Sequence, residues 1–159
     1  MSIPANRNAL KTILFTGIVA GFLDALAAII NYYIVTGKSP VIVFNFIASG
    51  VLGSNALTGG LPIAFLGLLF HFIIATIFAA FYFLIYPFIE KFSKNRFANG
   101  VVYAIFVWLV MNLVVVPLSN APKQAFHWNK ALLAAGILVV CIGMPISYII
   151  SSYYSKKNN

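Results

Sequence analysis

Acidic side chains are almost missing from this chain: Asp24 and Glu90 are the only two, against ten lysines and arginines. Cysteine is rarer still. Cys141 alone excludes a disulfide framework and any cysteine set at metal-ligand spacing, and the two histidines, His71 and His127, stand too far apart to form a ligand pair by spacing. No serine or cysteine nucleophile stands at a recognisable spacing, and Gly59-Gly60 lacks the helix and lysine that a phosphate loop needs. No catalytic residue, metal site or cofactor is therefore expected. The net charge of +8 does not indicate nucleic acid either, because the basic residues are scattered over tails and loops without forming a stripe.

What fills the chain is apolar: 62% of residues are hydrophobic and 8% charged, and the mean hydropathy is +1.00. That usage lies far outside the soluble globular range and predicts a multi-pass membrane protein, organised as one transmembrane domain over residues 1–159. A bilayer core about 30 Å thick needs about 20 apolar residues in a helix. Four stretches satisfy this, at about residues 12–35, 62–88, 100–117 and 131–151. Residues 41–53 are too short to span and too apolar to float free, so they read as an interfacial or re-entrant helix between spans one and two. The expected fold is an all-α integral membrane four-helix bundle. The first stretch reads as a span and not a removable leader, because its apolar run continues past Ala25-Leu26-Ala27 to Val35.

The basic residues set the expected topology. Arg7, Lys11, Lys91, Lys94, Arg96, Lys156 and Lys157 fall on one side, and Lys38, Lys123 and Lys130 on the other. By the positive-inside rule both termini are cytoplasmic. Met1 to Lys11 reads as a polar tail, Glu90 to Phe97 as a cytoplasmic loop and Pro117 to Lys130 as an outer loop with Phe126, His127 and Trp128 as an interfacial anchor.

Asp24 stands near the middle of the first span, where insertion costs about 2.5 to 3.5 kcal/mol. Gly17, Asp24 and Asn31 fall seven apart and share one stripe. Counting about 1.5 Å per residue from the outer ends of the spans puts Asp24 roughly 16 Å deep and His71 and Trp108 each roughly 13 Å deep. Asn31 and Asn112 fall about 6 to 8 Å deep. The candidate ligand or proton site is therefore Asp24, His71, Trp108, Asn112 and Asn31. Two readings stay open. In one, Asp24 and His71 titrate as a unit in a polar path for protons or a small ligand; in the other they are interhelical glue. Cys141 reads as an inert packed residue, and Gly17, Ala20, Gly21, Gly136 and Gly143 as candidate contacts for a homo-oligomer.

Four segments carry a resemblance: AGFLDALAA (Ala20 to Ala28), FIASGVLGSNALTGG (Phe46 to Gly60), GLLFHF (Gly67 to Phe72) and FVWLVMNLVVVPLSNAP (Phe106 to Pro122). Together they resemble the YagU-like small bacterial inner-membrane proteins, over about residues 15 to 150. The resemblance implies a multi-pass protein of the bacterial cytoplasmic membrane, from a family loosely tied to acid resistance and without an established activity. The functional expectation is proton-linked or small-solute handling. The alternative is a non-catalytic accessory or structural protein packed against a larger complex.

Overall fold

The computed structural model describes residues 7–123 and 127–157. Four helices are long and apolar enough to cross a membrane: α1 (Arg7–Thr36), α3 (Gly60–Phe92), α4 (Arg96–Leu118) and α5 (Trp128–Lys156). The shorter α2 (Val41–Leu52) follows α1, and a 3-10 turn (Ser54–Thr58) leads from it into α3. The protein is an all-α bundle of membrane-spanning helices, as its composition predicts.

Each long helix overruns its predicted span, because a helix does not stop where the apolar run stops. α1 begins at Arg7, so the expected tail is helical from that residue, and Thr12 Oγ1 donates to the Asn8 carbonyl at 2.9 Å. The expected loop from Glu90 to Phe97 shrinks to three residues, with Asn95 capping α4: its Oδ1 accepts from Phe97 N and Ala98 N at 3.0 and 3.2 Å. At the opposite end of the bundle, Pro117 and Leu118 belong to α4, and Trp128 opens α5 as an exposed residue. Phe126 lies outside the described residues.

The helices form a ring in which α1 meets α3 and α5, α4 meets α5, and α3 meets α4 through aromatic side chains, with α3 also packing directly on α5. Lipid is as apolar as leucine, so close packing and hydrogen bonds must hold such a ring together. Glycine supplies the closeness. A Cβ on Gly17 would lie 2.5 Å from Thr76 Oγ1, and one on Gly21 would lie 2.9 Å from the Phe72 ring, which fixes the α1–α3 crossing. Gly100 and Gly143 meet backbone to backbone where α4 crosses α5. At Gly67 the Phe44 carbonyl of α2 rests directly on α3. α2 is further tied to the α4–α5 connection: Asn120 N donates to the Gly50 carbonyl at 2.9 Å and Asn120 Nδ2 to that of Val51 at 3.3 Å. Its buried face carries Phe44, Asn45, Ala48 and Ser49, so one side of α2 faces protein.

Prolines inside the spans are handled in two ways. A proline removes an N–H and crowds the carbonyl four residues back. In α4 and α5 a π-turn, Met111–Val115 and Val139–Gly143, ends two residues before Pro117 and Pro145. The wider turn re-routes a bond, so that Val116 N donates to the Met111 carbonyl and Met144 N to that of Val139. Pro87 in α3 has no such turn among the described elements. The Phe83 carbonyl that it leaves unpaired accepts instead from the Tyr154 hydroxyl of α5 at 3.0 Å.

Candidate functional site

The α1–α3 crossing brings Asp24 and His71 together. Because Gly21 lacks a side chain, α3 closes in until His71 Nε2 stands 2.9 Å from the Gly21 carbonyl. A carbonyl only accepts, so Nε2 carries the hydrogen and donates it there. The same Nε2 lies 3.8 Å from Asp24 Oδ2, within ion-pair range and beyond hydrogen-bond length. Both side chains are largely buried, at 13% exposure for His71 and 20% for Asp24. Among the described residues, no N–H or O–H group donates to the Asp24 carboxylate within hydrogen-bond distance.

The remaining predicted residues do not join this pair. Trp108 is half-buried on α4, and its carbonyl accepts from Asn112 Nδ2 at 2.8 Å within the same helix. Asn112 is exposed on the outside of the bundle. Asn31 is half-buried, two turns along α1 from Asp24, with no side-chain hydrogen bond to it. His127 is exposed just before α5. Among the described residues no group of three His, Cys, Asp or Glu side chains is placed to hold a metal ion.

Cys141, which the sequence reads as an inert packed residue, is half-buried in the π-turn of α5. Counting ten residues from Ala131 at about 1.5 Å each gives it a depth of about 15 Å by the same rule. With Nε2–H committed to Gly21, Nδ1 is the ring atom left to take up a proton.

A second polar assembly, which periodicity did not indicate, lies nearer the chain termini. Tyr82 Oη donates to Ser147 Oγ at 3.0 Å, and Ser147 Oγ donates to the Arg96 carbonyl at 2.8 Å. The Arg96 guanidinium donates to Ser152 Oγ and Ser155 Oγ at 3.2 and 3.1 Å. Tyr103 Oη donates to the Phe78 carbonyl at 2.6 Å. Tyr82, Ser147 and Ser151 are wholly buried. This assembly ties α3, α4 and α5 together where they leave the apolar zone. In α2, Asn45 Nδ2 donates to the Leu57 carbonyl at 3.3 Å, while its buried Oδ1 has no partner.

Of the small residues expected to join one copy to another, Gly17, Ala20, Gly21 and Gly143 are buried inside the bundle. Gly136 faces open space. No family model, curated protein or solved structure matches the chain.

Proposed function

We propose that this multi-pass membrane protein handles protons, or a small solute coupled to them, through Asp24 and His71. One observation carries the reading: a carboxylate inside a spanning helix has an imidazole at 3.8 Å and, among the described residues, no hydrogen-bond donor of its own. A buried charge is normally paired and hydrogen-bonded. Asp24 is left needing a proton, a water or a cation, and intramembrane Asp and His groups are the residues proton pathways use. The resemblance to the YagU-like proteins, a family loosely tied to acid resistance, supports placement in the bacterial cytoplasmic membrane, and the seven-to-three division of basic residues supports both termini inside.

The test is proton uptake by vesicles loaded with a pH-sensitive dye and carrying the purified full-length chain, after an external acid step. Wild type is expected to acidify the lumen faster than empty vesicles, and Asp24→Asn to abolish the difference while eluting as a folded protein. Equal rates for wild type, Asp24→Asn and empty vesicles would end the proposal.

The second reading, a non-catalytic accessory or structural protein, draws on the 2.9 Å bond from His71 to the Gly21 carbonyl, which ties α1 to α3 whatever Asp24 does. Survival at low pH separates the two. A cell carrying Asp24→Asn that survives acid as well as wild type selects the structural role.

A further inference from the structure

Between the first turns of α1 and the last turns of α5 lies an open groove of about 600 Å³. Lys11 and Thr12 line it from α1, Ser152 and Lys156 from α5, and Phe15 and Ile149 form part of its floor. Its chemistry is graded along the helix axes. Lys11 and Lys156 are exposed at the end that carries the chain termini. Phe15 is one turn deeper than Lys11, and Ile149 is seven residues, about 10 Å, deeper than Lys156. Neither of the two carboxylates of the chain lines the groove. Ser152 forms its inner wall and is held by Arg96, a third cation directly behind it.

We propose that this groove binds an anionic glycerophospholipid, with its phosphate between Lys11 and Lys156 and an acyl chain along Phe15 and Ile149. Two cations match a phosphodiester, and the aromatic and aliphatic floor matches the chain leaving it. Thr12 and Ser152, whose hydroxyl hydrogens go to the Asn8 and Tyr148 carbonyls, add only a polar wall beside the phosphate. The order of polar and apolar groups is that of a lipid standing in its own leaflet. The site is separate from Asp24 and His71, so failure of either proposal leaves the other standing.

The experiment uses the full-length chain in a neutral detergent, titrated with phosphatidylglycerol, phosphatidylcholine or inorganic phosphate, with bound lipid counted by native mass spectrometry. Each lysine near an anionic surface contributes roughly 1 kcal/mol, so the pair predicts about 30-fold tighter retention of phosphatidylglycerol than of phosphatidylcholine. Lys11→Gln with Lys156→Gln should remove that preference. Lys91→Gln with Lys94→Gln, at the same end of the bundle but outside the groove, should keep it. Equal retention of the two lipids by wild type overturns the proposal without reference to any variant. So does competition by inorganic phosphate at equal concentration, or an equal loss in the Lys91 and Lys94 variant, which would indicate diffuse surface charge.

Discussion

Gly143→Ala tests how the bundle is held together. A Cβ at this position would overlap the Gly100 carbonyl oxygen and lie 2.8 Å from the Ala104 Cβ. The obstacle is backbone, so no side-chain rotation relieves it, and α4 and α5 have to separate. Overpacking of this kind costs about 1 to 3 kcal/mol, against about 0.8 to 1.0 kcal/mol that alanine recovers in helix propensity over glycine. Because backbone meets backbone, the upper half of that range applies, and a net loss of about 1 to 2 kcal/mol is expected. Gly136→Ala is the internal comparison, since nothing lies within 4 Å of a Cβ there and only the propensity gain should remain. Reversible unfolding in mixed micelles, titrated with a denaturing detergent, reads both variants on one scale. If Gly143→Ala unfolds at the same point as Gly136→Ala or beyond, α4 and α5 are not held by a glycine crossing and the reasoning fails.

The same assay reads three further substitutions. Tyr154→Phe strands the Phe83 carbonyl, which Pro87 cannot serve, and should cost about 1 to 3 kcal/mol as a buried acceptor left unpaired; a loss below that of Tyr103→Phe would refute the account. Tyr103→Phe should cost only about 0.6 kcal/mol, because the Phe78 carbonyl keeps the Tyr82 amide four residues on as a ladder partner. Gly67→Ala sets a methyl on the Phe44 carbonyl and should free α2, seen as faster amide exchange over Val41–Leu52 with α4 and α5 unchanged. Unaltered exchange in α2 would show that its seat on α3 is looser than described. Arg96→Lys, which cannot reach Ser152 and Ser155 with one fork, should lower stability by about 1 kcal/mol, and an unchanged midpoint would remove that tie from the account.

The four spans, the short fifth helix and the common height of Asp24 and His71 were legible in the sequence, because apolar run length and helix rise are properties of one segment at a time. Gly136, Gly143, Ser147 and Ser151 are spaced seven, four and four apart, which on a regular helix puts them on one stripe. The last three are buried, whereas Gly136 is exposed. The π-turn at Val139–Gly143 lies between them and adds a residue to the turn, rotating everything before it by about 100° relative to everything after. A proline inside a span, such as Pro145, is kink-prone, but the sequence does not show what form the relief takes. Arg96 and the serines of α5 were hidden for another reason: hydroxyls spaced three and four apart look like ordinary small residues until the partner helix is known. Trp108 shows the limit of depth counting, which fixes height but not the direction a side chain faces around the ring.

The moorings of α2 have a consequence for the chain as a mechanical object. With one contact on α3 at Gly67 and another on the α4–α5 connection at Asn120, the helix clasps two connections that are distant in sequence. A protease cut between Gly53 and Gly59 would sever the covalent thread and leave the clasp shut, so the two fragments should travel together through a sizing column.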